Sequence, residues 1–320
     1  MTSASFSFRF PSLRSPATVL AVVLVWVVAT PPAMAQEAYD LRLALEEGES
    51  YHFTTQNDRR FEQQVMGRQV SVSTDQTITH RYDVTDVATD GTMTLDVTYE
   101  RVQMEKDSPA GSFSYDSAEE EASVPQGAKG VAAFVGKSIQ MKLAPDGDGV
   151  SVEGTEAVID SAMEESSMSP AAREQMKKQF GAEGMKDLMD AGFSYLGAEG
   201  VQVGDTWERT ADLSRSFPMK IDMTYTLERV EEGKAVLRVT ADIATPEDAE
   251  PTKMGGNEVK MTFSGTQQGT MRIDLGTGLP VESQIEQNMD GSGEVRVQGQ
   301  TIAMKMNVSG TVSRSATPVE

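Results

Sequence analysis

One short turn occurs twice in this chain, each time leading into an extended segment. Leu45 to Tyr51 reads Leu-Glu-Glu-Gly-Glu-Ser-Tyr, and Val201 to Trp207 reads Val-Gln-Val-Gly-Asp-Thr-Trp. In both copies a glycine (Gly48, Gly204) precedes an acid, a small hydroxyl residue and a large aromatic (Tyr51, Trp207). Glycine reaches the positive φ of a tight turn, the acid and hydroxyl can bond nearby amides, and the aromatic anchors a half-buried strand. Gly48, Tyr51, Gly204 and Trp207 are therefore expected to be structural anchors, and the chain is expected to be a duplication.

The segments that follow fit that expectation. Tyr82, Val84 and Val87 lead through Asp90-Gly91 to Met93, Leu95 and Val97; Tyr225, Leu227 and Val230 lead through Glu232-Gly233 to Ala235, Leu237 and Val239. Apolar residues at alternate positions around a glycine turn predict a β-hairpin. A second pair matches as well. Ile139, Met141 and Leu143 enter the turn Pro145 to Gly149 and leave at Val150 and Val152; Met271, Ile273 and Leu275 enter Gly276-Thr277-Gly278 and leave at Leu279 and Val281. Alternation returns late, from Val295 through Ile302, Met304, Met306 and Val308 to Val312.

Between the copies the period changes. Thr155 to Leu196 is rich in Ala, Met, Glu, Gln and Lys, and Ser169-Pro170 has the form of an N-cap followed by proline at the first helical position. Met176 and Phe180 are four apart, as are Met185 and Met189, so each pair can form an apolar stripe. The expected organisation is a first β repeat over 36–154, a helical insertion over 155–198 and a second β repeat over 199–320. Lys106 to Lys129 and Ala244 to Asn257 read as long surface loops. The fold class is mainly β (α+β), with two similar antiparallel curved sheets or half-barrels.

The first 35 residues read as a signal peptide. Arg9 and Arg14 precede an apolar run from Ala17 to Ala29, which ends in Pro31-Pro32-Ala33-Met34-Ala35, an Ala-x-Ala cleavage pattern. The run is shorter than the ~20 residues of a membrane span, and no later stretch is apolar enough to form one. Removing two arginines and no acid from a formal charge of −21 leaves about −23. Nucleic acid is a poor partner for such a surface, since a phosphate-binding face needs clustered Lys and Arg. The expected location is bacterial, periplasmic or extracellular. The chain has no cysteine, which excludes disulfides, thiolate metal sites and a lipid-modified cysteine.

Enzyme chemistry finds little support. The two histidines, His52 and His80, lie in no metal-binding spacing, and no nucleophile elbow, phosphate loop or dinucleotide fingerprint is present. Both histidines are expected to face solvent or a polar partner. Asp146-Gly147-Asp148-Gly149 lacks the later ligands of a calcium loop and reads as a hairpin turn. No catalytic residue, metal or cofactor is expected. The 19 methionines fit core filling first, an apolar pocket lining second and a soft-metal site third.

Leu45 to Tyr51, Tyr115-Asp116-Ser117, Val203 to Trp207 and Ile273 to Leu279 together resemble an uncharacterised family of exported bacterial β-rich proteins, a domain of unknown function. The resemblance implies export and a β-rich fold and supplies no activity. At the level of architecture alone, the expected fold is also similar to lipoprotein-carrier half-barrels. The leading functional expectation is an exported cell-envelope binding protein that holds a lipid-like or other apolar small molecule between sheet and helices. Met176, Phe180, Met185, Met189, Met304 and Met306 are its candidate lining. The alternative is a non-enzymatic envelope module whose partner is another envelope protein.

Overall fold

Alternating apolar positions extend here into very long strands. The computed structural model describes residues 37–319 apart from 66–67, 120–122, 165–173, 175–176, 179, 215–216, 250, 255–256 and 298–299. The chain divides into Met1–Ala35 and Gln36–Glu320, and all the described residues belong to the second unit. In chain order its elements begin with β1 (Tyr39–Leu41), β2 (Ser50–Val65), β3 (Arg68–Val87), β4 (Met93–Asp107) and β5 (Phe113–Asp116). There follow α1 (Lys129–Ala132), β6 (Ser138–Leu143), β7 (Ser151–Glu153), α2 (Thr155–Glu164) and α3 (Ala182–Phe193). The remainder is β8 (Ala198–Val201), β9 (Thr206–Asp212), β10 (Lys220–Glu231), β11 (Lys234–Ala244), β12 (Thr252–Met254), β13 (Asn257–Asp274), β14 (Pro280–Val297) and β15 (Gln300–Pro318).

Thirteen strands form one open antiparallel sheet in the order β7-β6-β4-β3-β2-β15-β14-β13-β11-β10-β9, with β5 added beside β4 and β12 beside β13. The expected two sheets are thus a single one. The reason is β15, which hydrogen-bonds β14 along one edge and β2 along the other, so neither half keeps a free edge there. The sheet is not closed into a barrel; β7 and β9 are its two ends, and α3 packs against both.

The core lies at one end of the long strands. Tyr51 and Phe53 of β2, Tyr82 and Val84 of β3, Leu95 of β4, Met141 of β6, Leu227 of β10, Leu237 of β11 and Ile273 of β13 share one buried cluster with Phe193, Tyr195 and Leu196. Burial of each such side chain contributes about 1.5–3 kcal/mol. A second small sheet, β1 with β8, closes the base. From it the chain crosses beneath the large sheet: Leu43 N donates to Pro145 O (2.8 Å) and Ala44 N to Thr277 O (3.0 Å), tying the β6–β7 turn to the β13–β14 turn.

Two segments expected as surface loops carry structure. In 106–129, β5 pairs with β4, and Tyr115 and Ala128 bury against Val102 in a satellite core. In 244–257, β12 pairs with β13. Short elements of this kind have too few residues to show a period. The Ser169-Pro170 cap lies outside the described residues.

Candidate functional site

The repeated turns are built alike in detail. Gly48 (φ 91°) donates its amide to Val84 O at 2.9 Å, and Gly204 (φ 100°) donates to Leu227 O at 2.7 Å. Val84 N returns a bond to Glu49 O, as Leu227 N does to Asp205 O. The acid's role repeats too: Glu49 Oε2 accepts Glu46 N at 2.8 Å, and Asp205 Oδ2 accepts Gln202 N at 2.9 Å. Just beyond Val84 and Leu227 one extra residue, Thr85 or Glu228, bulges out of the pairing.

The anchoring aromatics differ in depth. Tyr51 is 6 % exposed, whereas Trp207 is half-buried, stacked on Tyr225 with 5.7 Å between centroids, its buried Nε1 without a hydrogen-bond partner. A fully buried indole would cost about 3–5 kcal/mol on truncation to alanine; for this half-buried ring Trp207→Ala is expected to cost about 2 kcal/mol in urea unfolding. Trp207→Phe, which also removes the orphaned N–H, is expected to lie within about 1 kcal/mol of wild type.

Beyond the core, the buried face of the sheet continues as an open inner surface. Residues opposite one another in register share a face. One row across six strands is Ile243, Gly265, Met289, Val308, Phe61 and Val72. A further row towards the strand tips holds Phe263, Gly291, Met306, Gln63 and Val70. Along β13 and β14 these inner positions are buried or half-buried, while the intervening positions are exposed. Below the apolar rows lies a polar band: Gln267, Gln287, Gly310, Arg59 and Thr74, then Gly269, Ile285, Val312, Asn57 and Gln76. Gln267 Nε2 donates to Gln287 Oε1 at 3.3 Å. Nearest the core, the row Met271, Ser283, Arg314, Thr55 and Ile78 brings a guanidinium onto the floor.

Of the expected lining, Met304 and Met306 lie on this inner face, half-buried, and Gln63 Nε2 reaches Met304 Sδ at 3.8 Å. Met185 is in the core; Phe180 and Met189 pack at its margin, Phe180 edge-on to Phe134 at 6.5 Å. Met176 lies outside the described residues. The structure therefore does not gather the five described ones into one wall. The inner face is instead supplied by Phe61, Val72, Phe263, Met289 and Val308. Their signal was their phase, two residues apart along strands whose other ends are buried.

His80 also faces inward, where solvent or a polar partner was expected. Its ring lies edge-on to Tyr99 at 4.3 Å, its Nδ1 is buried without a partner, and desolvation lowers its pKa to about 4 despite a backbone hydrogen bond with Phe53 that opposes the change. His52 is on the other face and meets Glu100 at 3.0 Å. Two surface clefts, of about 570 and 430 Å³, run beside α3 and are lined by mixed charges such as Lys177, Asp248, Lys186 and Asp190; neither opens onto the apolar rows. Among the described residues no group of three or more His, Asp or Glu could hold a metal ion, and no helix is long and apolar enough to cross a membrane.

A family of unknown function, DUF6263, matches residues 90–280, more than half of the chain. The chain belongs to this family. The matched DUF6263 region runs from the β3–β4 turn to the start of β14, so it holds the helical segment and the second turn but neither β2 nor β15. A search of curated proteins gave no match. Among solved structures, lipovitellin, described for its lipid–protein interactions, is 10 % identical with a TM-score of 0.44; 83 % of this chain and 25 % of that one are covered. The DUF6263 chain thus spans a quarter of lipovitellin's length. An outer membrane channel from Pseudomonas putida F1 is 8 % identical (TM-score 0.22, covering 84 % and 97 %), and OpdQ from Pseudomonas aeruginosa is 6 % identical (0.22, covering 85 % and 99 %). Likeness at this level assigns no function.

Proposed function

We propose that this protein is an exported cell-envelope protein that holds an apolar ligand against the inner face of its open sheet. The observation that carries the reading is the apolar row from Ile243 through Met289, Val308 and Phe61 to Val72, continued by Phe263 and Met306, which is only half-covered by the protein itself along β15, β2 and β3. Apolar surface left half-exposed on one face of a sheet is favourable to cover with an apolar molecule, at about 25 cal/mol per Å² removed from water. Export is supported by the charged, apolar and small-residue succession of residues 1–35. The two halves are read as products of duplication, supported by their matched turns, acid-to-amide bonds and bulges.

The test is titration of the protein, residues 36–320, with the neutral fluorescent probe N-phenylnaphthylamine. Saturable binding is expected, and Phe61→Asp and Phe263→Asp are each expected to weaken it at least about tenfold, since a carboxylate would then face the apolar tail. Absence of saturable binding, or unchanged affinity in both variants, would overturn the proposal.

A further inference from the structure

Charge on this sheet is segregated by face. The chain holds 49 acidic against 28 basic residues. Yet at the described inward positions of β2, β3, β13, β14 and β15 there is no Asp or Glu at all. Their acids, such as Asp58, Glu62, Asp75, Glu286 and Asp290, all occupy the outward register. Among the described side chains of these five strands the ionised groups facing inward are Arg59 and Arg314; Lys106 of β4, beside Thr74 in the same row as Arg59, and Arg209 of β9, opposite Met223, face the same way. Arg59 and Arg314 sit on adjacent strands, Arg59 opposite Gly310 and Arg314 opposite Thr55.

Among the described residues neither guanidinium has a carboxylate partner. Arg59 Nη2 donates only to Asn57 Oδ1, at 3.4 Å, and Arg314 makes no hydrogen bond or ion pair with another described residue. Desolvation destabilises the charge of both. For Arg314 it outweighs the favourable influence of Tyr82, Tyr225 and Tyr195, and Arg59 additionally feels Arg314 as a like charge. Arg59 is exposed and keeps much of its hydration, whereas Arg314 is part-buried under α3; a part-buried cation without a counter-ion is costly, and an anion at Arg314 that also reaches Arg59 would relieve that cost and screen the repulsion between the two.

We infer that the ligand of the inner face is a long-chain carboxylate, its head held between Arg314 and Arg59 and its chain laid along the apolar rows towards Met304. This rests on the apolar-ligand reading above. A planar carboxylate matches the fork of a guanidinium, which offers two parallel N–H donors. The head is small because the floor is closed. The backbone of α3 lies over Arg314, where a Cβ at Gly192 would come within 3.9 Å of Nη1, and the flanking Met271 and Ser283 are buried. A phosphodiester would have to push its second substituent into that floor. Chain length fits as well, since six residues of β15 separate Gly310, beside Arg59, from Met304, roughly 20 Å at the rise of a strand and about that of a 16-carbon chain.

The experiment compares stearate, stearyl alcohol and dioleoyl-phosphatidylglycerol as competitors of N-phenylnaphthylamine on residues 36–320. Stearate is expected to compete at least tenfold better than the alcohol. In Arg59→Gln and Arg314→Gln that ratio is expected to fall to near one, while Arg60→Gln, on the outer face, keeps it. Near-UV circular dichroism reports folding of each variant, and Arg59, the more exposed of the pair, gives a second variant should Arg314→Gln not fold. Equal competition by acid and alcohol, or a ratio unchanged in folded Arg59→Gln, would overturn the inference while leaving apolar binding intact. Stronger competition by the phospholipid would overturn the carboxylate assignment. No competition by any of the three, with the probe itself unbound, would instead remove the apolar-ligand reading.

Discussion

Truncation of Tyr195 to alanine is expected to lower stability by about 4 kcal/mol. The side chain is 1 % exposed and lies in the core beside Phe193 and Leu196, where α3 ends. Its hydroxyl donates to Gly278 O at 2.9 Å, in the β13–β14 turn. That turn presses on the Arg42 carbonyl, and its Thr277 O accepts Ala44 N. One phenol therefore spans the helix end, the second half of the sheet and the crossing segment from β1. Loss of the ring leaves a cavity where three elements meet, and collapse is resisted by the Gly278 backbone, held at φ 75°. Tyr195→Phe separates packing from hydrogen bonding: it leaves the Gly278 carbonyl unpaired and is expected to cost about 1–2 kcal/mol. Urea unfolding checks both. A Tyr195→Ala loss under about 1 kcal/mol would show that the base is not held through this residue.

Acid is expected to destabilise the protein through His80 by up to roughly 3 kcal/mol. The folded-state pKa is about 4, against an ordinary value of 6.5. Between those values the unfolded chain takes up a proton that the folded chain excludes, so stability is full above about pH 6.5 and falls as the pH drops towards 4. Each tenfold loss of proton affinity on folding corresponds to about 1.4 kcal/mol, and the penalty reaches its full extent below about pH 4. The ionisable neighbours on the same face, Tyr82 and Tyr99, have pKa values raised by burial and remain neutral throughout, so neither supplies a counter-charge. Carboxylates elsewhere titrate in part of this range, so the measurement is a difference: ΔG of unfolding for wild type against His80→Phe, from about pH 7 to about pH 4. The wild-type slope is expected to exceed that of the variant by about 3 kcal/mol across the window. Parallel curves would refute a buried neutral imidazole.

Much of this arrangement was legible in the sequence where the causes are local. The two glycine turns could be recognised because Gly48 and Gly204, with an acid following each, make the same short-range bonds in both places. The β3–β4 and β10–β11 hairpins could be recognised from alternation around a turn. The continuity of the sheet was not legible. Alternation says which face a strand buries but not which strand lies beside it, and β15 could have paired with several edges. The basic floor escaped for a different reason. Arg59 is in phase with Phe53 and Phe61, and Arg314 with Val308, Val312 and Ala316, so each stands in an otherwise inward series. A charge in an apolar series is the signal, and among so many acids two arginines did not stand out. Met185 was misplaced because helical spacing marks an apolar stripe without saying whether core or ligand covers it.

The placement of β15 also sets the order of assembly. It is the last strand in the chain, and it joins β14, its immediate predecessor, to β2, nearly the whole chain away; the Gln63–Met304 contact spans 241 residues. Loop closure over that span adds little to the equilibrium cost, because it grows only with the logarithm of length, but contacts so distant in sequence form slowly. Until they form, β2 and β14 each present a bare edge capable of pairing with another chain. Arg314 arrives on β15 and Arg59 waits on β2, so the two cations come onto neighbouring strands, two inward rows apart, only when this final strand zips in. The inner face is thus a late product of folding, completed by a strand that brings two like charges onto neighbouring strands.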